Sequence, residues 1–163
     1  MATEILPISE NYFEGLRQAL DTVAREGRYL AFLQAPPPQQ AYAFYQSILD
    51  NGQCQYIAVT DGEVVGWCDI LEHRGEACAH VGTLGIGLIP SARGQGLGPR
   101  LLQTALEAGW RRGFTRIELD VRADNHQARA LYRRCGFVEE GLRRNAYFVG
   151  GCYYDGYSMA LLR

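Results

Sequence analysis

The stretch Leu88-Ile89-Pro90-Ser91-Ala92-Arg93-Gly94-Gln95-Gly96-Leu97-Gly98 carries an apolar strand end into an arginine-led, glycine-rich turn and then into a helix. A turn of this kind is built to hold phosphate. Gly94, Gly96 and Gly98 lack Cβ atoms, so the backbone is free to take left-handed or crowded conformations and to aim several N–H groups at one anion. The helix that follows adds unpaired N–H donors and the positive end of its dipole.

Upstream of this turn, Ala2 to Pro7 reads as a short strand, and residues 10 to 27 as a helical region with Phe13, Leu16, Leu20 and Val23 at helical spacing. Pro36-Pro37-Pro38 breaks the chain before a second helix from Gln39 to Leu49, which stops at Asn51-Gly52. Gln55–Thr60, Asp61-Gly62 and Glu63–Leu71 form a hairpin signature, because Asp-Gly supplies the positive φ angles of a tight turn. His80 to Ile89 is a further strand interrupted by Gly82, Gly85 and Gly87, a density that predicts a bulge or a close approach of another group.

Downstream, Gly98 to Arg112 reads as a helix with Pro99 in its first turn and Gly113 as its stop. Thr115 to Val121 alternates as a strand. Asp124 and Gln127 form a capping-box-like pair ahead of the apolar stripe Ala128, Leu131, Tyr132 and Cys135, and Gly136 ends that helix. Phe137–Tyr147 and Cys152–Leu162 read as a final antiparallel pair around Gly150-Gly151. No repeat, linker or low-complexity segment marks a boundary, so residues 1–163 are expected to form one domain.

Composition narrows the chemistry. All 16 basic residues are arginine, which excludes a Walker-type lysine, a pyridoxal Schiff base and a lysine nucleophile. Five cysteines without a Cys-x-x-Cys pair argue against a disulfide framework or a four-cysteine zinc site, and Cys78 with His80 lacks a second ligand pair, so no metal is expected. Residues 1 to 90 carry 4 Arg against 11 acids, whereas residues 91 to 163 carry 12 Arg against 7. The positive half holds the glycine turn and suits an anionic cofactor. Arg111, Arg112, Arg133 and Arg134 are read as solvated helix faces. A pI near 5.9 without a basic aromatic stripe speaks against nucleic acid. Apolar runs are short, and Met1 to Pro7 has neither a basic start nor a signal-like block, so the expected setting is the cytoplasm, away from membranes.

A dinucleotide fold is the competing reading, since Gly94-x-Gly96 resembles the start of Gly-x-Gly-x-x-Gly and Glu118 and Asp120 follow about 20 residues on. Against it, Pro99 occupies the third glycine position, and antiparallel hairpins stand where βαβ units are needed. Arg93-Gly94-Gln95-Gly96-Leu97-Gly98 instead resembles the Arg/Gln-x-x-Gly-x-Gly/Ala loop of the GNAT superfamily of N-acetyltransferases. Leu119-Asp120-Val121-Arg122-Ala123-Asp124-Asn125 and Ala130-Leu131-Tyr132-Arg133-Arg134-Cys135-Gly136-Phe137 are similar to the second half of that family's core, in order and at the expected separation.

The resemblance implies an α+β fold: a mixed, mostly antiparallel sheet of six or seven strands, splayed at its middle and flanked by about four helices, with acetyl-coenzyme A entering the opening. It implies that the strand before the loop, including Ile86, Leu88 and Ile89, pairs with the pantetheine arm, that the N–H groups of Arg93, Gly94, Gln95, Gly96, Leu97 and Gly98 receive the pyrophosphate, and that Asn125 touches the cofactor arm. Helix capping is the alternative for Asn125. Tyr132, seven residues after Asn125 and so on the same helical face, takes the family position of the acid that protonates the leaving thiolate. Asp120 takes the position of a base, with His80, Thr83 and a water held by Glu72 as alternatives.

The implied reaction is direct attack of a primary amine on the thioester in a ternary complex. An α-amino group of pKa about 8 is roughly a tenth neutral at pH 7, a lysine of pKa about 10.4 less than roughly a thousandth, a gap of about 3 kcal/mol. A weak carboxylate base therefore suits an α-amine or small amine better than a lysine side chain. A small amine or amino acid is the expected acceptor, with a protein N-terminus or a non-catalytic acetyl-coenzyme A sensor as alternatives. Glu72 and Glu76 offer charge to a cationic amine. Tyr147, Phe148, Tyr153, Tyr154 and Tyr157 would line either the acceptor pocket or a homodimer surface.

Overall fold

A computed structural model describes residues 2–163. In chain order the elements are β1 (Thr3–Pro7), α1 (Phe13–Ala24), α2 (Pro38–Asp50), β2 (Cys54–Thr60), β3 (Glu63–Glu72), β4 (Val81–Leu88), α3 (Leu97–Arg112), β5 (Arg116–Arg122), α4 (His126–Arg134), β6 (Val138–Val149) and β7 (Cys152–Leu162), with short 3₁₀ turns at Glu10–Tyr12, Glu76–Cys78 and Pro90–Ala92. The strands form one seven-stranded sheet in the order β1-β2-β3-β4-β5-β7-β6. Every pairing is antiparallel except β4 with β5. This is the mixed, mostly antiparallel α+β sheet with four helices that the sequence predicts.

The alternating strand pattern separates two cores, one on each face. On one face α3 and α4 bury Leu101, Leu102, Ala105 and Tyr132 against Cys68, Ile70, Leu84, Ile117 and Met159. On the other, α1 and α2 bury Leu16, Val23, Tyr45 and Ile48 against Ile57, Val64 and Trp67. The first helical region is shorter than its spacing suggests, because a 3₁₀ turn precedes Phe13 and the helix ends at Ala24. The Asp61-Gly62 turn has the expected positive φ angles of 52° and 80°.

The glycines of β4 mark close approach; the strand pairs with β3 without a register shift. A Cβ at Gly82 would meet Ile70 Cγ2 at 2.5 Å and the Phe114 ring at 3.0 Å, and one at Gly87 would meet Trp67 Cη2 at 2.4 Å. Replacing Gly82 by alanine should therefore overpack this core and lower stability by about 1–3 kcal/mol. A denaturation midpoint unchanged from wild type would show that the core yields freely.

Candidate active site

Strands β4 and β5 run together for only three pairs, Val81↔Arg116, Gly82↔Ile117 and Thr83↔Glu118, and then separate. In a strand, the N–H and C=O of one residue point to one neighbour and those of the next residue to the other. Val81 accepts from His73 of the β3 side, and Ile89 donates to Val65 of β3, so the odd-numbered residues of β4 bond β3. The even-numbered ones face β5, and past Thr83 the N–H groups of Ile86 and Leu88 meet only the opening. On β5, Arg163 donates to Thr115 and Ala123 to Asp155, so odd residues bond β7 and the backbone of Asp120 faces the same opening.

This register corrects one expectation. Ile89 does not border the opening: its N–H is held by Val65 and its carbonyl accepts from Ala92, while its side chain packs into the α1–α2 core. Ile86 and Leu88 stand where they were expected.

At the end of β4, Gly94 and Gly96 take φ angles of 75° and 77°, and a Cβ at either would meet nothing within 4 Å, so the loop presents bare backbone to open space. Among the described residues, none of the amides from Gly94 to Gly98 donates to a turn, loop or cap carbonyl. Arg93 plays a different part from its neighbours. Its N–H is used by Pro90, its Nε donates to the Leu88 carbonyl at 3.1 Å, and its two terminal nitrogens donate to Glu26 at 2.9 and 2.6 Å. The guanidinium also stacks on Tyr29, 4.7 Å from the ring centroid. Arg93 shapes the loop with its side chain instead of offering an amide. Gln95 likewise turns its side chain back, to the Ser91 carbonyl.

A second arginine holds the opposite lip. Arg122, only 4% exposed, donates to Gly27 O at 2.8 Å and to both oxygens of Asp124 at 3.0 and 2.7 Å, and lies 3.8 Å over the Tyr154 ring. Its hydrogen bonds, aided by its charge, hold the Asp124 carboxyl below the usual range. The segment from Glu26 to Tyr29 is thus tied to the β4 side by Arg93 and to the β5 side by Arg122. Asp124, committed to Arg122, does not cap α4; Asn125 does, accepting from the Ala128 amide at 3.2 Å. Its Oδ1 is spent on that cap.

Between the lips lies a cavity of about 890 Å³, within the range of small-molecule sites. Ile86, Leu88, Arg93, Gly94, Gly96, Leu97, Gly98, Asp120, Asn125 and Tyr132 all line it; Gln95 does not. It is also lined by Leu30, Phe32 and Leu33 from the α1–α2 connection and by Tyr147, Phe148 and Val149 from β6. Of the tyrosines expected to line a pocket or an interface, Tyr147 lines the cavity, while Tyr154 and Tyr157 serve as platforms under Arg122 and Arg129.

Tyr132 is buried, and burial raises its hydroxyl well above the ordinary value, so it stays protonated. Among the described residues nothing hydrogen-bonds that hydroxyl. Asp120 is half exposed and engaged twice, accepting from Ser158 Oγ at 2.8 Å and from Arg143 at 3.0 Å. Of the alternatives for a base, Thr83 lines the cavity; His80 and Glu72 do not, and Glu72 faces Arg112 instead. Arg134 is a cavity wall residue and not merely a solvated one.

Sequence reading passed over the two arginine clamps, Arg143, and Asp69. Asp69 stands on β3 opposite Gly85, half-buried, and burial pushes its carboxyl up to about 7. An acid inside the apolar run Gly66-Trp67-Cys68-Asp69-Ile70-Leu71 was the available signal.

A model of the acetyltransferase (GNAT) family matches residues 17–137, most of the chain. The chain belongs to the GNAT acetyltransferase family. This acetyltransferase is 30% identical to the L-amino acid N-acetyltransferase of Escherichia coli over 154 residues, 93% of the chain and 92% of that protein. It is 33% identical over 110 residues to a Bacillus subtilis protein provisionally designated a ribosomal protein bS18-alanine N-acetyltransferase, covering 67% of the chain and 70% of that protein. In fold it matches a GNAT superfamily phosphinothricin acetyltransferase from Sinorhizobium meliloti, solved in complex with acetyl-coenzyme A, with a TM-score of 0.92 at 21% identity over 99% of the chain and 89% of that one.

Truncating Arg122 to alanine removes the buried donor to Gly27 and should cost about 1–3 kcal/mol. Amide exchange across residues 27–35 should quicken by more than the global loss explains, and exchange rates there that track global stability alone would contradict the clamp.

Proposed function

We propose that this GNAT acetyltransferase moves an acetyl group from acetyl-coenzyme A to the α-amino group of a small amine or amino acid. One observation carries the reading: a single cavity is lined both by the unpaired backbone of β4 with the anion-seeking loop and by side chains of the α1–α2 connection and β6, leaving room for an acceptor beside the donor. The residues present fit the donor. Ile86 and Leu88 offer backbone pairing to an extended amide-bearing arm, and the free amides of residues 94–98 at the start of α3 suit a pyrophosphate. When bound, acetyl-coenzyme A supplies the activated thioester. Asn125, its Oδ1 held by the cap, has only its Nδ2 donor to offer the arm.

Tyr132 is assigned as the acid. Its hydroxyl is kept protonated by burial and is free of partners, so it can give a proton to the departing sulfur without first breaking another hydrogen bond. Asp120 already has partners on both oxygens, Ser158 on Oδ1 and Arg143 on Oδ2. We assign it to fixing Arg143, whose guanidinium on the cavity wall is matched to the carboxylate of an amino-acid acceptor. The relatives named for L-amino acids and for ribosomal protein alanine support an amine of this kind.

A protein N-terminus is the second reading. It is favoured by the open apolar mouth, where Phe32 is 60% exposed and Phe148 59%. Thiol release with free L-amino acids and with peptides carrying the same first residue separates the two: free amino acids should be preferred, and the preference should fall in Arg143→Ala. Turnover of peptides alone would favour the N-terminal reading, and no turnover of any amine would favour a binding module.

Tyr132→Phe should lower kcat by about 10²-fold or more while the Kd for acetyl-coenzyme A stays within twofold; an unchanged kcat would remove Tyr132 as the acid. Gly96→Glu, which strains a left-handed φ and places a carboxylate in the anion cradle, should abolish measurable binding of acetyl-coenzyme A by calorimetry. Normal binding would show that the loop is not the pyrophosphate site.

A further inference from the structure

On the sheet face covered by α1 and α2, Gln55 of β2, Asp69 of β3 and Gly85 of β4 stand in line, each directly opposite the next. Directly opposed residues project to the same face. The Asp69 carboxyl therefore lies between the Gln55 amide and the bare backbone of Gly85. Gln55 Nε2 donates to Asp69 Oδ2 at a long 3.4 Å, and Gln55 Oε1, on a residue 4% exposed, has no partner. The Cβ that Gly85 lacks would lie 3.3 Å from Asp69 Oδ1. Gly85 itself lines the cavity, together with Thr83 and Val23. Asp69 does not itself line the cavity and stands directly behind Gly85; a side chain at position 85 would roof the carboxyl, and glycine leaves only bare backbone beside it.

We propose that Asp69 is the proton acceptor for the attacking amine: the acceptor's ammonium group seats over Gly85 and gives a proton to Asp69 Oδ1. In that step an N–H bond breaks and an O–H bond forms, the electron pair stays on nitrogen, and a carboxylate and an ammonium become a carboxylic acid and a neutral amine. The acid later returns its proton to water in the cavity. Gln55 serves both states, since its amide N–H donates to the carboxylate and, with the amide turned over, its orphaned Oε1 accepts from the carboxylic acid. The inference rests on the reading of the chain as an amine acetyltransferase and supplies the base which that reading lacks.

The electrostatic setting agrees. Burial, opposed by the Gln55 hydrogen bond, places the Asp69 carboxyl at about 7, where a general base is most effective at neutral pH. From α2 the titratable group facing it is Tyr45, itself pushed up to about 12 by burial and by the Asp69 charge. Glu14 and Arg17 of α1 with Tyr42 of α2 are tied to one another by hydrogen bonds. Between Val81 and Leu88, β4 carries no titratable side chain, and β2 presents Gln55. Cys68 points to the opposite face, into the α3–α4 core. Tyr132 belongs to that opposite core too, so acid and base flank the opening from the two faces of the sheet, with environments that hold one protonated and leave the other ready to accept.

The test is the pH dependence of kcat in wild type, Asp69→Asn and Gly85→Ala, with melting temperature, acetyl-coenzyme A Kd and a carboxyl ¹³C NMR titration recorded alongside. Wild-type kcat should fall as pH drops below about 7, because protonation removes the base. Asp69→Asn should lose roughly 10²–10³-fold in kcat and lose that acidic limb, with cofactor Kd unchanged. Gly85→Ala, which lays a methyl over an intact carboxyl, should lower kcat/KM for the acceptor, and the double variant should be no worse than Asp69→Asn. An Asp69→Asn enzyme with wild-type kcat, one that keeps the acidic limb, or an Asp69 carboxyl titrating near pH 4 would overturn the assignment. Absence of turnover by the wild type with every amine would instead remove the functional reading itself, and this inference with it.

Discussion

Everything in this protein turns on a parallel strand pair that stops too soon. After Thr83↔Glu118 the sheet has nothing to fill the space between β4 and β5, and a run of backbone donors and acceptors is left facing it. Unpaired backbone groups are costly when buried, so the opening is tolerable only where water or a ligand reaches it. The fold holds this opening apart with arginines. Arg93 on one lip and Arg122 on the other grip the same segment, Glu26 to Tyr29, so that the connection between α1 and α2 spans the gap and fixes its width. A chain with no lysine has placed planar, forked cations where two or more hydrogen bonds must be made at once.

The same division of the sheet organises the chemistry. The α3–α4 face is deeply apolar and keeps Tyr132 neutral. On the α1–α2 face, Asp69 lies beside the bare backbone of Gly85, which lines the cavity. Charge on the cavity wall is paired, Asp120 with Arg143, an ion pair that holds the guanidinium in place. On the proposed reading, donor binding is a matter of backbone and loop, and proton traffic a matter of two side chains on opposite faces.

Much of this was legible in the chain. The glycine loop, the Asp61-Gly62 hairpin and the Asn125 to Tyr132 spacing rest on local chemistry, and they give the fold class and bring the loop, Asn125 and Tyr132 to one cavity. What escaped rests on pairing between distant segments. Whether Ile86 or Ile89 faces the opening depends on parity against β3, which the sequence of β4 alone does not encode. That Arg93 serves Glu26, 67 residues away, and that Asp124 serves Arg122 and leaves the cap to Asn125, are outcomes of competition among partners that only the fold assembles. Asp69 stood in plain view as an acid in an apolar strand, but its meaning needed Gly85 placed beside it.

We propose that acetyl-coenzyme A pairs along the opened edge of β4. Residue-resolved amide exchange by NMR, with and without acetyl-coenzyme A, tests it most directly. The cofactor should slow exchange at Ile86 and Leu88 and at the free amides of residues 94–98, while Gly85 and Gly87, already bonded to β3, should change little. Protection that spares Ile86 and Leu88, or falls equally on odd and even positions of the strand, would contradict it.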